Sequence, residues 1–400
     1  MAKNGLVNRV AIIGAGDMGH GIAEACAVSG MDVFLKDVKQ DMLDTAVSRI
    51  KSSLDALARK GRVQADQVND ILSRIHPCLD YGTIPSDVPL VIEAVPEIMS
   101  LKQRIFADLD KHLLPNAIVA SNTSNLSITT LAGSTRRPGQ VVGLHFFNPA
   151  IIMDTVEVIK GEATSPATFD AARRFVAGIG KIAVPVLKDV PGFIVNRVQV
   201  SAQVVINKLV ELGMATHGEI DAMARKMSQP MGPFEVYDFV GLDIVKHGHD
   251  YFASVLGPDY ASPGWLDQLV AAGHLGKKTG KGIYDWSSGH AAIGGAMPTG
   301  KLSMLDLIAV QVNEAAKIIE AGAVEDPGDI DVAIANGTGN KAGIFGVFAT
   351  GRDDIIKRLG DLSSTLGIAA FKPHPLLATM PVPNARKAAK RLRQWASGTA

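Results

Sequence analysis

Over roughly the first 187 residues, short apolar and β-branched runs alternate with longer stretches in which apolar side chains recur every three or four positions. Past that point only the second pattern continues. Short apolar runs bounded by turn residues predict buried strands, and the 3.6-residue period predicts amphipathic helices. Strands are predicted at 9–13, 32–36, 74–79, 90–95, 117–120 and 181–187, with two more apolar runs inside 141–160. Helices are predicted at 20–29, 38–60, 65–73, 101–113, shortly after Asn125, and at 168–178. Strands alternating with helices imply a mostly parallel sheet, which binds ligands at the carboxyl ends of its strands.

The first strand breaks into Gly14-Ala15-Gly16-Asp17-Met18-Gly19 and a helix follows at once. In that setting the glycines permit a tight turn and bring backbone N–H groups close to a pyrophosphate at a helix N-terminus. The second strand ends at Asp37, roughly 20 residues further on, where an acid binds a ribose 2′-hydroxyl. A carboxylate there repels a 2′-phosphate, so NAD is expected rather than NADP; Lys36 and Lys39 nearby weaken the preference somewhat. Strand, glycines, helix and acid together predict a Rossmann-type dinucleotide-binding domain over residues 1–188.

Three polar residues follow predicted strand ends along the same edge: Glu97, Ser124 and His145. His145 lies just past an apolar run and Glu157 follows twelve positions later inside a second one. An imidazole with a carboxylate on a neighbouring strand suits general-base chemistry on an alcohol, because the acid fixes the ring tautomer and stabilises the imidazolium. Asn148, in HFFNP, precedes a proline that holds the segment extended or turned.

Composition narrows the class of partner. Forty basic and forty acidic side chains cancel, which argues against a nucleic-acid or membrane-surface partner. Apolar residues make up 47% of the 400 and aromatic ones 5%, enough for a core but few platforms for stacking bases. Cys26 and Cys78 show no metal-ligand spacing or disulfide framework, and no metal is expected. A reducing compartment, and a soluble cytoplasmic protein, are the expectation, since no signal-like segment or run of about 18 apolar residues occurs.

The stretches VAIIGAGDMGHGIA, VIEAVPEIMSLKQRIFADLD, ASNTSNLSIT, GLHFFNPAIIMDTVEVIKG, DVPGFIVNRV, QPMGPFEVYDFVGLDI and LGKKTGKGIYDW follow one another from about Val10 to Trp286. In order and spacing they resemble the L-3-hydroxyacyl-CoA dehydrogenases. The resemblance implies a catalytic dyad at His145 and Glu157, and residues that hydrogen-bond the substrate oxygen and nicotinamide at Ser124, Asn148 and Asn196. It implies NAD contacts at Gly14, Gly16, Asp17, Met18, Gly19, Asp37, Glu97 and Lys102. Bland alternatives remain for three of these: Lys102 as a solvated helix residue, Ser124 as the cap of the following helix, and Asn148 as a turn amide. The implied activity is NAD-dependent oxidation of (S)-3-hydroxyacyl-CoA to 3-oxoacyl-CoA, in fatty-acid β-oxidation or related acyl-CoA metabolism. Other readings are a free hydroxy acid or sugar acid as substrate, as in gulonate 3-dehydrogenase-like relatives, or a non-catalytic, crystallin-like nucleotide-binding protein. One departure stands out: relatives commonly carry a basic or small residue near the place of Asp154, so a carboxylate is expected close to the acyl pocket.

The remaining chain is predicted all-α. A helical domain spans 189–286, with helices at 191–212, stopped by Gly213, and at 217–227, 234–239, 242–256 and 263–272. This domain is expected to close one side of the cofactor cleft and carry Asn196 into it. Within it, 275–282 (LGKKTGKG) lacks the Walker arrangement and is expected to be a structural loop rather than a phosphate site. A glycine- and serine-rich linker, 287–300, leads to 301–400, where the pattern of 211–221 recurs 109 to 110 positions later. A counterpart of Met231-Gly232-Pro233-Phe234 falls at 341–345. A second, degenerate copy of the helical domain follows, ending at 384–393 in a basic helix or frayed tail, expected as a solvated surface rather than a site for an anionic partner. No catalysis is assigned to the copy, whose Asn313 lacks the PGFIVNR context. Two helical copies in one chain suggest a monomer in which the second replaces a dimer partner, with a homodimer as the alternative.

Overall fold

In the computed structural model, which describes residues 8–227, 229–338 and 343–397, eight strands form one sheet. They are β1 (Arg9–Ile13), β2 (Asp32–Lys36), β3 (Ile75–Cys78), β4 (Leu90–Glu93), β5 (Ile118–Ser121), β6 (Val141–Phe146), β7 (Thr155–Ile159) and β8 (Ile182–Val186). Their order is β3-β2-β1-β4-β5-β6-β7-β8. The chain leaves β1 in one direction and returns to lay β4 on its other side, a topological switch that opens a crevice at the strand ends. β6 and β7 pair antiparallel, whereas the other pairs are parallel.

The helices are α1 (Asp17–Val28), α2 (Gln40–Arg59), α3 (Val68–Ser73), α4 (Met99–His112), α5 (Ile128–Ala132), α6 (Pro166–Gly178), α7 (Val195–Glu211), α8 (His217–Lys226), α9 (Pro233–Val240), α10 (Leu242–Leu256), α11 (Gly264–Ala271), α12 (Met304–Glu320), α13 (Gly328–Gly337), α14 (Phe345–Thr350), α15 (Arg352–Leu366), α16 (Leu376–Thr379) and α17 (Ala385–Ser397). A parallel-sheet, Rossmann-like region followed by an all-helical region is therefore the fold. No helix among the described residues is long and apolar enough to cross a membrane.

Two compact units result. The first holds 1–195 together with 321–343 and 383–400, and the second holds 196–320 and 344–382. In the first, Val10, Ile12, Val33, Leu35 and Ile92 of the central strands pack against Ile22, Ala23 and Cys26 of α1 and Leu43, Ile50 and Leu54 of α2. In the second, two pairs of helices match in length. α7 and α12 have 17 residues each, and α10 and α15 have 15 each. The two stretches are tied together: Arg197 of α7 pairs with Glu314 of α12, Gln311 donates to Gln199 at 2.6 Å and Tyr260 to Glu314 at 2.9 Å. Asn313 ties down the segment beyond α15, donating to Ala370 and Lys372 and accepting from His374 N–H at 2.8 Å. Within the counterpart of Met231–Phe234, positions 341 and 342 lie outside the described residues, as do 1–7.

Two expectations change, and a third gains its contacts. The helix expected from 191 begins at Val195, because 191–194 form a turn in which Gly192 and Phe193 take left-handed backbone, φ +72° and +53°. The basic tail is a helix whose Arg386, Lys387, Lys390 and Arg393 are exposed, as a solvated surface requires, but whose other face is buried. α17 buries Ala388 and Leu392, stacks Trp395 under the Arg173 guanidinium at 3.6 Å, and grips buried Asp329 with Arg391 at 2.5 and 2.6 Å. Its apolar positions recur at helical spacing, so burial outweighs solvation of its exposed cations. The loop at 275–282 has a structural use. A Cβ on Gly276 or Gly282 would lie 2.2 Å or 2.1 Å from Asp238 atoms, while Lys278 pairs with Asp243 at 2.5 Å.

Candidate active site

The glycine loop ends β1 at the crevice. Gly14 has φ +106°, and a Cβ there would lie 2.6 Å from the Ala94 carbonyl oxygen just past β4. No side chain is tolerated at that crossing. Gly16 is the opposite case: a Cβ there would meet nothing within 4 Å, so its missing side chain leaves open space in front of α1. Gly16 is the N-cap of α1 and supplies no side-chain cap, which leaves the first N–H groups of the helix for an anion. Asp37 closes the loop from the side: one oxygen accepts from Ala15 N–H at 2.8 Å and the other from Val38 N–H at 2.7 Å. Of the remaining loop residues, Met18 packs against the core and the Asp17 carboxylate pairs with Arg49 at 2.5 Å. An open cradle, uncapped N–H groups and an acid at the second strand end fit a dinucleotide.

Past β4 a buried electrostatic brace shapes the next loop. Lys102 of α4 is 1% exposed and not the solvated residue its bland reading allowed. Its ammonium donates to Glu93 at 2.6 Å and the Val95 carbonyl at 3.2 Å, and lies 3.3 Å from Glu97. Glu93 also accepts from Ser121 at 2.6 Å. Glu97 receives the Thr123 hydroxyl at 2.5 Å and the N–H groups of Ser124 and Asn125 at 2.9 and 3.0 Å. Burial alone would raise the pKa of Glu97, but the Lys102 charge and these hydrogen bonds outweigh it and hold it below the usual carboxylate range. Ser124 is thus fixed by its backbone on the loop, and the cap of α5 is Ser127, which accepts from Thr130 N–H at 3.1 Å. The same loop reaches β6 through Asn122, whose Oδ1 accepts from Phe146 N–H at 2.8 Å.

His145 and Glu157 are directly opposed across the antiparallel β6–β7 pair. Twelve residues separate them in the chain, yet one cross-strand step joins them in the sheet. The His145 ring nitrogen Nδ1 lies 2.6 Å from Glu157 Oε2. The other oxygen, Oε1, accepts from Ile194 and Val195 N–H at 3.1 and 2.9 Å, the start of α7. Glu157 is 0% exposed, and a charge that deep survives only when fully hydrogen-bonded. The left-handed Phe193 turns these two N–H groups, and the positive end of the helix dipole, onto the carboxylate. With the carboxylate accepting from Nδ1–H, the imidazole keeps Nε2 as its proton acceptor. Phe147 and Phe193 lie beside the ring with centroids at 4.6 and 5.8 Å.

Of the other predicted residues, Asn148 is an exposed turn residue before Pro149, and Asn196 is the second residue of α7, next in the chain to Val195. Asp154 directly precedes β7. It lines a cavity of about 390 Å³ with Ala25, Val28, Ile151 and Lys181 that includes neither member of the His145–Glu157 pair. Sequence reasoning missed Glu93, Ser121, Asn122 and Thr123. A lone acid in the apolar run LVIEAV was the available signal, since a buried carboxylate requires a partner.

The profile described as 3-hydroxyacyl-CoA dehydrogenase, NAD binding domain, matches residues 9–190, and the one described as its C-terminal domain matches 192–286. A 3-hydroxybutyryl-CoA dehydrogenase of Bradyrhizobium diazoefficiens is 39% identical over 289 residues, covering 70% of this chain and 96% of that protein. The human mitochondrial hydroxyacyl-coenzyme A dehydrogenase is 40% identical, covering 71% and 93%. The crystal structure of 3-hydroxybutyryl-CoA dehydrogenase from Escherichia coli covers 98% of this chain and 100% of its own at a TM-score of 0.82 and 26% identity. Glycine cradle, buried brace and these likenesses converge: the chain belongs to the 3-hydroxyacyl-CoA dehydrogenase family and is an NAD-dependent enzyme.

Proposed function

We propose that the protein oxidises (S)-3-hydroxyacyl-CoA to 3-oxoacyl-CoA, reversibly, in fatty-acid or related acyl-CoA metabolism, with His145 as proton carrier and Glu157 as its orienting acid. The observation that carries the reading is the buried pair itself, 2.6 Å apart and anchored on the first N–H groups of α7. In the oxidative direction Nε2 of His145 accepts the proton of the 3-hydroxyl as the C3–H bond breaks. When bound, NAD supplies the acceptor for the hydride that leaves C3. Glu157 stabilises the imidazolium, and in the reverse direction the imidazolium returns the proton. Ser124 and Asn196 hold the oxygen that becomes the ketone, with donors set in place before charge develops on it. Asn148 shapes the pocket beside the reacting carbon. The glycine cradle, Asp37, Glu97 and Lys102 serve the cofactor, the last two through the loop they brace.

Initial rates with 3-hydroxyacyl-CoA substrates of increasing chain length, with NAD and NADP and beside the uncoupled hydroxy acids, test the substrate. Preference for the free acids overturns the assignment. His145→Gln is expected to leave NADH affinity intact and to lower kcat by about 10²–10⁴-fold; near-normal turnover in a folded variant removes His145 as the proton carrier. We also read the protein as a monomer, on the packing of its two helical copies in one chain. A stable dimer in light scattering contradicts that.

A further inference from the structure

α13 belongs to the second helical copy, which has no catalytic counterpart, yet it packs on β7 and β8. It is buried along Gly328–Ile334 and pinned from behind by the Arg391–Asp329 pair of α17. The chain leading into it is stitched to the sheet where Leu187 N–H donates to the Ala323 carbonyl at 2.8 Å. At its last position stands Gly337. A Cβ at Gly337 would lie 3.1 to 3.2 Å from three carbons of the Phe147 ring, inside ordinary van der Waals contact. Phe147 is in turn the ring nearest to the His145 imidazole, at 4.6 Å and tilted by 58°. The imidazole also neighbours Phe193, at 5.8 Å and fully buried. Phe193 belongs to the left-handed turn before α7, and Phe147 meets the end of α13.

We infer that Gly337 is a positioning residue for His145: its missing side chain lets Phe147 seat against the imidazole and hold it in line with Glu157. The duplicated module therefore acts on proton transfer through packing, without touching substrate. This inference rests on the proposed role of His145.

The test uses the full chain with Gly337→Ala, Gly337→Val, Phe147→Leu and Gly337→Val combined with Phe147→Leu. Alanine requires the ring to give by a few tenths of an ångström, and kcat is expected to fall several-fold. Valine pushes further and is expected to lower kcat by about 10–100-fold, since a misplacement of about 1 Å costs on the order of 10²-fold. KM for the acyl-CoA and Kd for NADH stay near wild type, and the downfield Nδ1 proton resonance of His145 shifts. In the double variant the smaller leucine side chain relieves the crowding and restores part of kcat. Normal kcat in a folded Gly337→Val protein overturns the inference, as does a loss confined to KM or NADH binding, or one the second substitution fails to relieve. If the valine variant does not fold, the alanine variant decides by the same readouts. His145→Gln assayed in parallel separates the two layers: near-normal turnover there sinks the proton-carrier reading, whereas an inactive His145→Gln beside an unaffected Gly337→Val sinks only this inference.

Discussion

Glu157→Gln isolates what one charge does in a site whose shape barely changes. The wild-type carboxylate accepts on both oxygens, from the imidazole on one and from two backbone N–H groups on the other. An amide has one acceptor oxygen and one donor nitrogen, so it satisfies only one of these demands. If the oxygen stays on the helix N–H groups, the NH₂ faces Nδ1 and forces the tautomer with hydrogen on Nε2, which is no longer a base. If the oxygen faces the imidazole, two buried N–H groups confront a donor. The lost attraction can also be sized directly. Two unit charges about 4 Å apart at an effective dielectric constant of about 20 interact by about 4 kcal/mol. At 1.36 kcal/mol per decade that is roughly a 10³-fold fall in kcat. The assay is NADH oxidation by acetoacetyl-CoA, with NADH affinity measured separately by fluorescence and folding by circular dichroism. A folded Glu157→Gln protein that keeps kcat within about tenfold of wild type would refute the claim that this carboxylate sustains proton transfer, since the sum above leaves no room for it.

Other consequences follow from the same geometry. Lys102→Met leaves Glu93 and Glu97 without the ammonium that joins them, and breaking a buried pair from one side costs about 3–5 kcal/mol; urea unfolding should show the loss, and an unchanged midpoint would mean the brace carries little. Glu24 of α1 is buried with one oxygen unpartnered among the described residues, and burial, opposed by a hydrogen bond with Ser53, pushes its pKa up to about 7. Because its folded pKa exceeds the unfolded one, the folded state holds the proton more tightly. Stability from this group is therefore fully present below the unfolded value and lost as pH rises through about 7. Glu24→Gln is expected to be the more stable protein at pH 8, by roughly 3 kcal/mol from a shift of that size, with the advantage vanishing near pH 4; thermal unfolding across that range gives the comparison, and parallel curves would remove Glu24 as the cause.

Much of the architecture and part of the site were legible before any coordinates. Glycines, helix and Asp37 declare a nucleotide cradle because backbone sterics and helix dipoles act over a few neighbouring residues. Periodicity alone called for helices on both sides of 287–300, and α7 and α12 there have 17 residues each. The tail's exposed cations were legible from its charge, and its buried face follows from Ala388, Leu392 and Trp395, which stand at helical spacing among them. Glu93 and Lys102, nine residues apart on a strand and a helix, carry no local pattern that joins them.

The amino-acid order by itself determined the alternating strands and helices, the cofactor loop, and the candidate pair of a histidine and a glutamate. Only the tertiary structure decided that β7 runs against β6, which sets Glu157 directly across from His145, and that α13 ends on Phe147. The physical reason is range: propensity, turn chemistry and periodicity act between near neighbours, whereas strand direction, register and the approach of a distant helix are settled by which apolar surfaces leave water together.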